Sequence, residues 1–319
     1  MTKFDNNRIL YLDYARTIAL FLVVFAHLYS VDSSVKLYVY AFHMPFFFIV
    51  SGMLHRDSDY IPLIEKMIKR MIIPFFFFLF LGYLYCAISS QSLALGTAYG
   101  SIVGVVMGKD IVANDILWFF IAMFWVRIIG NWLIRIPRIV FPLSVLVSFV
   151  FYYIHINYLY LGTSLMALPF YLLGNYIKTS IHRIVNNKRH LLLSIFLLAF
   201  SVVVSNYNGK VSMMGCSFGN TPSFLLSFML FYLNGIVGSL VILCLVGRVE
   251  KCISWLLQPS YCAISIVGLQ FIPIMIWYRS IGFNHNYVIS CVYSLMIITV
   301  CILFHIFVGK HANWLLGGK

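Results

Sequence analysis

Apolar runs of membrane-spanning length, each closed by a short polar stretch, recur along this chain from residue 10 to residue 309. A run of about 18 or more apolar residues reads as a transmembrane helix, because in lipid a helix satisfies its own backbone groups. The pattern predicts spans near 10–31, 36–54, 71–90, 115–135, 138–156, 160–178, 191–207, 224–247, 257–278 and 286–309. The expected fold is an all-α, polytopic transmembrane helical bundle of about ten spans. No fixed-period repeat divides it, so 1–319 reads as a single integral membrane domain.

Three connections stand out. HRDSDYIPLIEKMIKR at 55–70, with Met71 after it, places Ile61, Ile64, Met67, Ile68 and Met71 at helical spacing, which fits a helix lying on the membrane surface. Its basic end, Lys66, Lys69 and Arg70, can meet lipid phosphates or an anionic ligand. YGSIVGVVMG at 99–108 is apolar but too short to cross, so it reads as an interfacial or re-entrant piece. The stretch 207–223, with Asn208 and Gly209, reads as an outer loop. Either of the last two can cover a substrate site.

Composition strengthens the membrane assignment. With 62% hydrophobic and only 10% charged residues, no water-soluble core can absorb the apolar surface. The net charge of +13 would suggest nucleic acid in a soluble protein, but the 22 Lys and Arg residues mostly occupy the short connections. With the N-terminus in the cytoplasm, only Lys36, Lys109, Lys210 and Arg279 fall on the outer side. This bias supports cytoplasmic placement of both termini and makes topology, not nucleic acid, the meaning of the charge. The first apolar segment is expected to remain as a span and not to be cleaved as a leader. The seven cysteines form no CxxC pair and no HExxH occurs, so neither a disulfide framework nor a metal site is expected.

Few charges lie inside spans, and each is expensive there, about 2.5–3.5 kcal/mol at mid-membrane. The first span holds Asp13, Arg16 and His27. Eleven residues bring Arg16 and His27 to nearly the same helix face, roughly 16 Å apart along the axis. Asp13, three residues before Arg16, can form an ion pair with it. The second span adds His43, Pro45, Ser51 and Gly52 within FHMPFFFIVSG at 42–52. One arginine and two histidines on neighbouring helices make a buried polar site, against the simpler alternative that Arg16 snorkels and His27 bonds a neighbour. His55, His182, His190, His311, His155, His285 and His305 are read as structural. Asp13, near the end of the first span, is the only carboxylate within a span, with Asp115 at a boundary, which disfavours a proton-coupled transporter.

RILYLDYARTIALFLVVFAH at 8–27 followed by FHMPFFFIVSG at 42–52 resembles the opening of acyltransferase family 3. These are polytopic bacterial membrane O-acyltransferases, fucose 4-O-acetylases and O-antigen O-acetyltransferases among them. KRMIIP at 69–74, LWFF at 117–120 and LPFYLLGNYI at 168–177 continue the likeness. It thins beyond, where SYCAISIVGLQ at 260–270 carries Gln270 in place of the late histidine of many members.

The resemblance implies a bacterial inner-membrane enzyme that takes acetyl from cytoplasmic acetyl-CoA to a sugar hydroxyl of a cell-surface polysaccharide, O-antigen or lipid-linked glycan. Acetyl-CoA would be a donor, with no permanently bound cofactor, and the glycan and membrane lipids would be the partners, without nucleic acid. In that chemistry an alcohol needs a positioned base to attack a thioester, and His27 is the choice. Arg16 can bind a CoA phosphate or steady the oxyanion, with Lys69 and Arg70 extending the anion site. His43 can orient His27, hold substrate or accept the acetyl group. Asp13, Ser51, Trp118, Phe119 and Gln270 complete the expected substrate contacts, the aromatics by stacking on a sugar ring. Two other classes stay open: a transporter or flippase for a small solute or lipid-linked sugar, and a non-catalytic membrane partner.

Overall fold

The computed structural model describes residues 9–28, 33–90, 95–136, 139–181, 188–214, 217–218, 223–247, 249, 252–282 and 286–318. His182 and His285 lie outside the described residues, as do the side chain of His190 and several charges of the topology pattern, including Lys3, Arg8, Arg138, Arg183, Arg248, Lys251 and Lys319. The chain is an all-α polytopic bundle. Among the described residues seven helices are long and apolar enough to cross a membrane, and three shorter apolar helices accompany them.

In chain order the helices are α1 (Leu10–Leu28), α2 (Ser34–Met53), α3 (Tyr60–Met67), α4 (Ile73–Ser90), α5 (Leu95–Met107), α6 (Trp118–Leu133) and α7 (Val140–Ile154). There follow α8 (Leu161–Ile177), α9 (Lys188–Asn208), α10 (Phe224–Val246), α11 (Ser254–Tyr261), α12 (Ala263–Leu269), α13 (Phe271–Ser280) and α14 (Tyr287–Ala312).

Helix α2 is the hub, packed between α1, α8 and α10. Its start is set by Ser33, whose hydroxyl accepts from the Lys36 N–H. Small residues let its neighbours approach. A Cβ on Gly52 would strike the Tyr171 carbonyl of α8, and one on Gly174 would strike the Ile49 carbonyl of α2. This reciprocal glycine contact is the close backbone packing that holds helices together where lipid removes the hydrophobic drive. On α10, Gly235 and Gly238 admit Phe170 and Phe42 in the same way.

Three departures from the sequence pattern shape the site. The expected span 257–278 is broken into α11, α12 and α13, with Pro259 and Pro273 inside it, and Gln270 sits at the second break. The entry to α4 is a π-helical turn, Ile68–Ile72, that carries Lys69 and Arg70. The expected outer loop contains a two-residue antiparallel pairing, Val211–Ser212 with Ser217–Phe218.

Polar side chains tie the outer segments down. The Asn157 amide donates to the carbonyls of Gly108 (2.7 Å) and Met214 (2.8 Å) and accepts from the Thr163 N–H (2.8 Å). Asn157 precedes Leu159 and Tyr160, both at positive φ, and the Tyr160 hydroxyl donates to the Lys109 carbonyl. Asn114 donates to Gly268 O at 2.9 Å, fixing the start of α6 against α12.

Candidate active site

Four helices, α1, α2, α6 and α12 with its flanking turns, each turn one stripe of side chains toward a pair of cavities of about 630 and 620 Å³. On α1 the stripe runs Arg16, Leu20, Val23, His27, with intervals of three and four residues that keep them on one helix face. On α2 it runs Tyr40, His43, Phe47, Ser51, and on α6 Trp118, Phe119, Met123, Arg127. On the broken segment it runs Ser260, Ile264, Val267, Gln270. Phe47, Phe119 and Val267 line both cavities, which therefore meet at their side chains.

The first cavity contains the imidazoles. His27 Nδ1 lies 3.2 Å from the Tyr40 hydroxyl, and the Tyr278 hydroxyl donates to the His27 carbonyl. His43 Nδ1 donates to the Val39 carbonyl at 2.8 Å, so its Nε2 carries the lone pair. The Tyr40 ring stands between the two imidazoles, its centroid 5.8 Å from His27 and 5.2 Å from His43. Asp110, Asp115, Lys36 and Lys210 add both signs of charge, and Lys36 lies over the Tyr40 ring. Residues 210–214 supply Lys210, Val211, Met213 and Met214 to the lining, so the loop does reach the cavity.

Gln270 is fully buried and faces the same cavity, with neither its amide nitrogen nor its oxygen hydrogen-bonded among the described residues. An unpaired buried amide costs about 1–3 kcal/mol. Retaining one against a cavity suits a group that waits for a polar ligand.

The second cavity is basic. Arg16, Arg56, Lys66, Arg70 and Arg127 line it, and among the described residues no carboxylate does. Arg16 donates to Asp13 Oδ1 at 3.3 Å, and the Ser260 hydroxyl donates to the same oxygen at 2.9 Å. Asp13 is thus a buried support that aims Arg16 from outside the lining. Arg127 donates to the Ser51 carbonyl and the Tyr171 hydroxyl, both at 3.3 Å. Tyr171 in turn bonds His55 Nδ1 at 2.6 Å, and His55 Nε2 bonds Asp57 at 3.0 Å. Burial lowers the His55 pKa, opposed by its hydrogen bond to Asp57.

The expected site residues are divided between the two chambers. His27, His43, Trp118 and Gln270 line the imidazole chamber, Arg16, Arg70 and Ser51 the basic one, and Phe119 both. Lys69 lines neither, whereas its neighbour Arg70 lines the basic chamber, since adjacent helical residues point about 100° apart. Tyr40, Arg56 and Arg127 were not expected. Tyr40 was findable as the polar residue one turn before His43, and Arg127 as a charge well inside the 115–135 run. Arg56 carried no signal beyond its place next to the end of the second span. His55, read as structural, joins the network that holds Arg127.

A family model described as an acyltransferase domain matches residues 9–306, a stretch that includes both chambers. Searches of curated proteins and of solved structures return no match. The chain belongs to the acyltransferase 3 family, and that membership implies acyltransferase activity.

Proposed function

We propose that this protein transfers an acetyl group from acetyl-CoA to a sugar hydroxyl of a surface polysaccharide, O-antigen or lipid-linked glycan, in a bacterial inner membrane. The observation that carries the reading is the back-to-back pairing of a five-cation chamber with an imidazole chamber. CoA is a polyanion with a long, narrow arm ending in a thioester. Phosphates suit guanidinium and ammonium donors, so the basic chamber suits the anionic end. The positive-inside bias supports a cytoplasmic position for that chamber, on the side where acetyl-CoA is made.

The arm then extends along the stripe from Arg16 toward His27. With Nδ1–H donating to the Tyr40 oxygen, His27 presents Nε2 as a base to an acceptor hydroxyl. The base takes the hydroxyl proton as oxygen attacks the thioester carbonyl. A C–O bond forms, the C–S bond breaks, and the proton passes to the departing sulfur. The products are the O-acetyl ester and free CoA. Trp118 offers a ring face to the sugar, while Gln270, Asp110 and Asp115 offer it hydrogen-bond partners. His43 Nε2 is free to hold the acceptor or to receive the acyl group in transit.

Mass spectrometry of surface glycans from cells with and without the gene tests the proposal. An acetyl group missing from an otherwise intact glycan is the expected result. A missing glycan with normal acetylation of what remains would point to transport instead.

A further inference from the structure

The wall between the chambers is one side chain thick. Phe47, Phe119 and Val267 each face a cavity on both sides and are accordingly only half-buried, although they lie deep in the bundle. None carries a hydrogen-bonding group. On α1 the stripe passes from Leu20 to Val23 without any residue common to both chambers. Whatever links phosphates in one chamber to chemistry in the other must pass this apolar ring.

The ring is also held in place. Phe119 packs edge-on against Phe47 at 5.9 Å between centroids and Trp118 at 6.3 Å, and tilted against Phe48 at 5.5 Å. Phe47 is flanked by Phe46 at 5.5 Å. Val267, being β-branched, has one strongly favoured rotamer in a helix. An opening edged by such groups has a fixed cross-section, and apolar sites with fixed walls discriminate by about 10- to 200-fold per methylene.

We infer that Phe47, Phe119 and Val267 form the aperture through which the acyl end of the thioester passes, and that its cross-section restricts the donor to short, unbranched acyl groups. This rests on the acyltransfer reading above and adds to it the residues that select the acyl group. The reaction is the same for any acyl group admitted: the C–S bond breaks, the C–O bond forms and the hydroxyl proton leaves with CoA. Selection therefore occurs at passage and is read as a ratio between donors.

The test gives membranes containing the protein either labelled acetyl-CoA or labelled isobutyryl-CoA and counts alkali-labile label in the glycan fraction. The native chain is expected to prefer acetyl. Phe119→Ala raises the isobutyryl-to-acetyl ratio by about 10-fold or more. Val267→Ala raises it in the same direction and serves if the first variant does not fold. Leu37→Ala, which enlarges the imidazole chamber ten residues along α2 from Phe47, leaves the ratio as it was.

An unchanged ratio in both ring variants overturns the inference, since a merely structural role would lower both transfers together. An equal rise in Leu37→Ala also overturns it, by assigning selection to chamber volume. If the native chain transfers acetyl but the ratios do not move, only the aperture fails. If it transfers no acyl group from either thioester, the acyltransfer reading fails and takes the aperture with it.

Discussion

His27 on α1 and Tyr40 on α2 meet through Nδ1 and the phenol oxygen at 3.2 Å, across the boundary of two helices consecutive in the chain. The contact selects which imidazole nitrogen faces the cavity. Removing a general base costs typically 10²–10⁴-fold, so His27→Ala is expected to reduce acetyl transfer by about that factor while the protein still inserts. Tyr40→Phe keeps the ring and deletes the partner. It should lower kcat by about 10-fold, the worth of roughly one hydrogen bond, with KM for the donor little changed. Steady-state kinetics on solubilised protein separate the two terms.

Asp13, itself bonded by the Ser260 hydroxyl, fixes the direction of Arg16 without lining the chamber. Asp13→Asn keeps the shape and removes the charge that holds the guanidinium. Charge-assisted hydrogen bonds are worth about 1.5–3 kcal/mol, so KM for acetyl-CoA is expected to rise by roughly 10- to 100-fold. kcat should fall far less. Protection of the purified protein by CoA in a thermal melt provides the check, and the variant should need correspondingly more CoA.

Gly52 and Gly174 set the distance between α2 and α8 by carbonyl contacts in both directions. A larger side chain at either forces the helices apart, which typically costs about 1–3 kcal/mol for overpacking. Gly52→Val and Gly174→Val should each lower the melting temperature in detergent. The double variant should lose less than the sum of the two, because both act on one crossing.

His55 makes stability depend on pH. Burial lowers its pKa from the ordinary 6.5, so the folded chain favours the neutral imidazole more than the unfolded chain does. Below about pH 6.5 the unfolded state therefore binds more protons, and stability falls with falling pH. Above that value the contribution is complete. Asp57 favours the protonated form, whereas Arg127 and Lys178 oppose it, so the drop should be modest. Melting temperatures from about pH 5 to about pH 8 should slope upward in the native chain, and His55→Gln should flatten that slope.

Much of this arrangement was legible in the sequence, for identifiable reasons. Lipid penalises charge so heavily that Asp13, Arg16 and His27 announced themselves, and helical period alone put Arg16 and His27 on one stripe. The ion pair followed from three-residue spacing, and the glycine of FHMPFFFIVSG marked the close crossing. What stayed hidden depends on contacts between distant segments. No local pattern says that Arg127 reaches the Ser51 carbonyl or that His55 reaches Tyr171, because 76 and 116 residues separate the partners. The breaks around Gln270 combine two prolines with the Asn114 bond to Gly268, which only the fold brings together. Lys69 and Arg70, adjacent in the sequence, are told apart only by the fold, which brings Arg70 and not Lys69 to the basic chamber.

The central claim is that a donor held on the basic side serves a reaction at His27 on the other side of a thin apolar wall. Sealed membrane vesicles of the two orientations, given labelled acetyl-CoA that cannot cross the bilayer, test it directly. Alkali-labile acetyl label on glycan is expected only when the donor meets the face bearing Arg16, Arg56, Lys66, Arg70 and Arg127, with loss of that label in His27→Ala. Equal labelling from both faces, or full labelling in His27→Ala, would contradict it.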